Sequence, residues 1–113
     1  MRVPGAQDAV IDPVKLHGYL LSRSHPIGRF KAPFFESLGY SASSWRRLDA
    51  DLRAQHLSQE AVVGRPSPYG QKYEVRATLR GPSGRAAQVV SVWVVLVDED
   101  VPTFVTAYPG ETR

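Results

Sequence analysis

Two short segments near opposite ends of the chain carry side chains suited to one kind of chemistry. His25-Pro-Ile-Gly-Arg-Phe-Lys31 places an imidazole and two cations within seven residues, with no acid among them. Phe104-Val-Thr-Ala-Tyr-Pro109 places a hydroxyl and a phenol two residues apart on what reads as a final strand. Histidine titrates near neutral pH and moves protons. Cations stabilise the charge that builds up in a phosphoryl transition state. On one surface, these groups could hold and cut a phosphodiester.

Further candidates stand beside them. Arg29 and Lys31 flank the expected start of a helix, where free N–H groups favour anions. Lys72 and Arg76 share a strand face at i, i+4, and Lys72 follows a Gly-containing bend, Tyr69-Gly-Gln. Thr106 could donate to a phosphate oxygen, and Tyr108 could stack on a base. Each also has a plainer reading: an exposed loop histidine, solvated cations, a tyrosine packed in the core. Trp93 is open between core and base platform. His17 and His56 read as surface or boundary residues. With no HxH or HExxH spacing, the three histidines make no metal site, and no cofactor is expected. Asp98-Glu-Asp100 reads as a solubilising turn. The chain has no GxSxG elbow, P-loop, dinucleotide fingerprint or zinc-deaminase set. Acid–base chemistry with cationic stabilisation is the enzymatic class left.

Composition is compatible with that class. The 113 residues match one domain, 1–113, with 1–10 as a loose lead-in. A hydrophobic content of 42% argues against disorder. The absence of Cys excludes disulfides and thiolate chemistry and fits a cytoplasmic location. The longest apolar run, Val89 to Val97, is far short of the ~20 residues of a membrane span, and the N-terminal segment lacks the order of a signal peptide. The net charge of +3 is a mild basic bias. Its distribution is more telling: from Arg65 to Val97 the charges are Arg65, Lys72, Arg76, Arg80 and Arg85 against Glu74 alone. Such sorting suits a polyanion, although a solvated strand face would look the same.

The elements that must position these residues follow from pattern. Asp12-Pro13 starts a helix, since Asp accepts from free N–H groups and Pro loses nothing at the first position. Leu16, Leu20 and Leu21 give its apolar stripe, ending near Ser22. A second helix covers Phe30 to Leu38, with Pro33 tolerated in its first turn and Gly39 beyond its end. A third runs from a Ser43 or Ser44 cap to about Leu57. Ala61 to Gly64 starts or precedes a first strand, and Pro66, Pro68 and Gly70 read as an irregular loop. Lys72 to Arg80 alternates as a strand; Ala86 to Val97, apolar on both faces, is a central one. Phe104 to Tyr108 is the last, with Phe104, Thr106 and Tyr108 expected on one side. Helices followed by strands argue for an α+β fold: two or three N-terminal helices packed on a three- to four-stranded antiparallel sheet.

The set Lys15…Tyr19-Leu-Leu…His25-Pro-x-Gly28-x-x-Lys31-Ala…Phe35…Leu38-Gly39-Tyr40, then Tyr69-Gly70-x-Lys72-Tyr73, then Thr106-Ala-Tyr-Pro109, resembles a bacterial domain of unknown function. That family occurs alone, often encoded beside a small presumed antitoxin, or at the end of larger toxin-like proteins. The order of elements also resembles the barnase–EndoU–colicin–RelE group of toxin ribonucleases. The resemblance implies a metal-independent endoribonuclease toxin, with attack by the RNA 2′-hydroxyl. His25 would be the acid or base, Lys31 and Lys72 would hold the phosphate, Thr106 would orient it and Tyr108 would position the RNA. Arg29, Arg76 and Tyr69 would guide the strand. The implied partners are RNA and a cognate antitoxin or immunity protein, acidic against this basic chain, with no membrane. The competing expectation is a non-catalytic RNA-binding or protein-interaction module.

Overall fold

The computed structural model describes residues 1–110 and has the expected α+β order, short helices first and a four-stranded antiparallel sheet second. Asp12 caps α1 (Pro13–Lys15) by accepting from the Val14 N–H at 3.0 Å. The helix then widens into a π-turn, Leu16–Leu20, closed by the Leu21 N–H on the Leu16 carbonyl at 2.9 Å. Widened turns of this kind concentrate at functional sites. Here Leu16, Leu20 and Leu21 are all buried while Tyr19 is turned aside, half-buried.

The second helical region is shorter than expected. A 3₁₀ turn, Gly28–Phe30, precedes α2 (Ala32–Ser37), with Pro33 in the first turn as anticipated. Six residues sum little helix dipole, so any anion site here depends on side chains rather than on the helix terminus. Gly39 takes φ +100°, the left-handed residue expected beyond the helix. Ser44 is the residue that precedes α3 (Trp45–Gln55), one of the two expected cap positions, but its side chain serves the turn before it: Ser41 and Ser44 form a capping box around the 3₁₀ turn Ala42–Ser44.

The sheet order is β1 (Val62–Ser67), β2 (Gly70–Arg80), β3 (Ala86–Leu96), β4 (Thr103–Pro109), each antiparallel to the next. β1 continues through Pro66, which the sequence placed in a loop. It can do so because β1 is an edge strand, and its register slips between Val63 and Pro66. β3 is the central strand its two apolar faces foretold, and Trp93 on it is fully buried in the core. Leu48, Leu52 and Phe35 from the helices pack with Val75, Leu79, Val89 and Phe104 from the sheet. Each fully buried side chain of this size is worth roughly 1.5–3 kcal/mol.

Two local features set the geometry of β4. Opposite β3, Val92 pairs with Thr106 but Trp93 pairs with Phe104, leaving Val105 as an extra, bulged residue. The bulge corrects the expected side-chain order. Phe104 turns inward against Trp93, ring centroids 5.2 Å apart, while Thr106 and Tyr108 share the other face with Val92 and Val90. Beside β4, Val10 bridges Thr103 in parallel, its N–H bonded to the Pro102 carbonyl at 2.9 Å. Residues 1–10 are therefore packed, not loose: Val3 and Ala9 are buried, and Ala6–Asp8 forms a 3₁₀ turn.

Candidate active site

Three polar side chains from distant parts of the chain converge at the outer edge of β4. The Lys31 ammonium donates to the Tyr19 phenol oxygen and to the Thr106 hydroxyl oxygen, each at 2.8 Å. The two oxygens lie 3.0 Å apart and share one further hydrogen bond. Lys31 stands just ahead of α2, Tyr19 comes from the π-turn and Thr106 follows the bulge.

The loop between them explains the alignment. Gly28 lies so close to the Tyr19 carbonyl that an added Cβ would fall 1.8 Å from that oxygen, so no other residue fits. This contact fixes the 3₁₀ turn against the π-turn, and the Lys31 N–H closes on the Gly28 carbonyl at 2.8 Å. His25 braces the same loop. Its Nδ1 accepts from the N–H groups of Ile27 and Gly28, both at 3.0 Å, which puts the ring proton of the neutral imidazole on Nε2. The imidazole meets the Tyr19 ring edge-on, centroids 5.0 Å apart.

The electrostatics are one-sided. Burial by itself would push the Tyr19 phenol up, but hydrogen bonds from Lys31 and Thr106, with the charges of Lys31 and Lys15, outweigh it and hold the phenol below its usual range. Lys15 and Lys31 stand 5.8 and 5.1 Å from the centre of the Tyr19 ring, and Lys31 5.9 Å from that of Tyr108. Among the described residues, no carboxylate forms an ion pair with Lys15, Arg29, Lys31, Lys72 or Arg76. A cleft of about 460 Å³ opens beside the triangle, lined by Val14, Lys15, Gly18, Tyr19, His25, Val105 and Thr106. A second cleft, of about 340 Å³, lies between Arg2, Ala6, Gln7 and Arg53, but there Arg53 is committed to Asp49 and to the Ala9 carbonyl.

The remaining candidates surround this centre at varying range. Arg76 pairs through Val90 with Tyr108, and its guanidinium lies 3.0 Å from where a Cβ on Gly110 would sit. Lys72 belongs to the row Lys72–Val94–Thr103, which puts its backbone ~12 Å from Thr106 at ordinary strand spacings. It is outside the triangle. Tyr69 is exposed at the β1–β2 turn, and Arg29 stacks on the exposed Phe30 ring at 4.8 Å. Among the described residues, no group of three or more His, Asp or Glu side chains converges as a metal site would.

Tyr19 and Lys15 were not singled out as site residues by their spacing. Their signal was helical: four residues apart, they share one side of the α1 region. His56 is the reverse case. Expected at a boundary, it is fully buried, its Nδ1 2.7 Å from the Ser91 hydroxyl, which also accepts from the Trp93 indole at 2.9 Å. Nε2 has no well-formed hydrogen bond and faces the Ala77 backbone. Burial pushes the His56 pKa down to about 4, with that backbone contact partly opposing it.

Among solved structures, one chain of a contact-dependent growth inhibition toxin – immunity protein complex from Klebsiella pneumoniae 342 has this fold. The TM-score is 0.62 at 22% identity, over 89% of the present chain and 99% of that one. No curated protein matches the sequence. The match to Domain of unknown function (DUF6883) runs over residues 2–111, nearly the whole chain, and the protein belongs to that family.

Proposed function

We propose that this protein is the toxin of a toxin–immunity pair and acts as a metal-independent endoribonuclease. The observation that carries the reading is the Lys31–Tyr19–Thr106 triangle at a cleft whose cations have no described carboxylate partners. Its fold likeness to a chain of a toxin–immunity complex adds support to the toxin role.

The triangle suits RNA transesterification. Tyr19 acts as the phenolate, the form that the Lys31 ammonium and the Thr106 hydroxyl favour, and takes the proton of the RNA 2′-hydroxyl. The 2′-oxygen freed of its proton attacks the adjacent phosphorus and forms the cyclic phosphate. Lys31 faces the extra negative charge of the transition state, and the Thr106 hydroxyl orients a non-bridging oxygen. The P–O5′ bond breaks as the leaving oxygen takes a proton from Lys31. The 2.8 Å bond between Lys31 and Tyr19 then returns the proton from phenol to amine and resets the pair. Tyr108 offers a stacking face, and Arg76, Lys72, Arg29 and Tyr69 line the approaches for neighbouring nucleotides. The cognate immunity protein would be acidic, to cover this surface.

The mechanism requires the 2′-hydroxyl. An RNA carrying one 2′-deoxy nucleotide at the cut position should resist cleavage there and remain cleavable elsewhere. Cutting at the deoxy position would exclude the mechanism.

A further inference from the structure

We propose that His25 is a positioning residue whose neutral imidazole latches Lys31 into the triangle and whose protonation releases it; this rests on the ribonuclease reading above and concerns the control of the same site. The turn that carries Lys31 is short and weakly anchored. Side chains three residues apart on a 3₁₀ turn lie on one side of it. Gly28 and Lys31 make the inner side, against Tyr19, and Ile27 and Phe30 the outer one. Both outer side chains are exposed, Phe30 at 73%, so no apolar burial holds the turn from that side.

Hydrogen bonds hold it instead, and His25 supplies two. Its Nδ1 accepts from the N–H groups of Ile27 and Gly28, and the Gly28 carbonyl accepts in turn from the Lys31 N–H. In this role Nδ1 stands where an asparagine carries Oδ1. Each atom is bonded to Cγ, and side-chain oxygens there accept from N–H groups two and three residues on. A proton on Nδ1 turns the acceptor into a donor facing two donors, and both bonds are lost. Around the ring, Lys15 lines the cleft from α1, Tyr19 meets it edge-on from the π-turn, and β4 adds only Val105 and Thr106 to that cleft. Arg29 and Lys31 are the charges on its own loop. No described carboxylate pairs with His25, so an imidazolium has no ion-pair partner there. Protonation therefore frees the turn and takes the ammonium away from Tyr19 and Thr106.

The test compares single-turnover cleavage of one short RNA by the wild type, His25→Ala and His25→Asn. Asparagine keeps an acceptor on Cγ and does not titrate. At about pH 8 the Asn variant should cleave within about threefold of the wild type, while the Ala variant should lose about 10–100-fold in maximal rate at unchanged half-saturation, as expected of a displaced ammonium. As the pH falls towards about 5.5, the wild type should slow roughly tenfold relative to the Asn variant. That ratio cancels the titrations of Tyr19, Lys31 and His56, which both proteins share. A folded Asn variant as slow as the Ala variant, the result expected of a proton-transferring imidazole, would overturn the proposal. So would a ratio that stays constant with pH. If no RNA is cut, the ribonuclease reading fails, and amide spectra of the wild type decide the latch; they decide it equally if a variant does not fold. The N–H resonances of Ile27, Gly28 and Lys31 should shift together with the His25 ring as it titrates. Resonances that ignore that titration would overturn the latch.

Discussion

Along α3, Arg47 and Arg53 each lie one turn from a carboxylate, bonded to Asp51 at 3.1 Å and to Asp49 at 2.7 Å. Around the cleft, Lys15 and Lys31 meet phenol, hydroxyl and aromatic faces instead, and no described carboxylate forms an ion pair with either. The difference lies in what satisfies the charge. On α3 the cations are neutralised within the fold and support structure. Asp51 extends that network inward by accepting from Tyr40 at 2.6 Å, and burial and that bond push the Tyr40 phenol up. At the cleft the positive charge has no internal counterpart, so the fold leaves it available to an anion. The two tyrosines show the same contrast: one raised beside a carboxylate, one lowered beside an ammonium.

Substitutions on the two sides should therefore fail in different ways. The largest effect is expected at Tyr19→Phe, which keeps the ring and loses only the oxygen. Cleavage should fall by about 10²–10⁴-fold, the usual contribution of a positioned base, with little change in melting temperature. A phenylalanine variant as active as the parent would remove Tyr19 from the chemistry.

Next in size is acid lability, which belongs to the structural side. Folded His56 resists protonation until about pH 4, whereas an unfolded histidine titrates near 6.5. As the pH falls through that window the unfolded chain takes up the proton first. Stability should therefore be lost between about pH 6.5 and 4, by up to about 3 kcal/mol. Melting curves across that range would show it, and His56→Gln, if folded, should flatten the decline. A melting temperature unchanged from pH 6.5 to 4 would mean that His56 is not the neutral, buried group described.

Smaller again is the guiding role of the sheet cations. Lys72→Ala and Arg76→Ala should each reduce the slope of log affinity against log salt for single-stranded RNA by about 0.7–1. An unchanged slope would place the RNA path elsewhere. Least of all, Arg53→Ala should cost no more than about 1 kcal/mol of stability, read by chemical denaturation, and should leave cleavage alone. A large loss of activity there would blur the distinction between the two sides.

How far the sequence reveals all this depends on whether the signal is local. The Asp12-Pro13 start, Gly39 beyond α2 and the alternation of β2 are each set within a few residues, and each was legible. The bulge at Val105 was not, because an inserted residue leaves the composition unchanged while reversing which side chains face the core. His56 was misplaced for a similar reason: its partner Ser91 lies 35 residues away on the central strand. Of the candidate site, Lys31 and Thr106 were visible as chemistry-bearing types, but Tyr19 was not. Its aim depends on the π-turn and on Gly28 meeting its carbonyl, and no period in the sequence encodes either.

The most direct measurement is cleavage of a cellular RNA mixture, in excess chelator, by the wild-type protein and by Lys31→Ala. Discrete fragments ending in cyclic phosphate are predicted for the wild type, slowed about 10²–10³-fold in a variant that remains folded. Equal cleavage by both proteins, or cleavage only after a divalent metal is restored, would contradict the central claim.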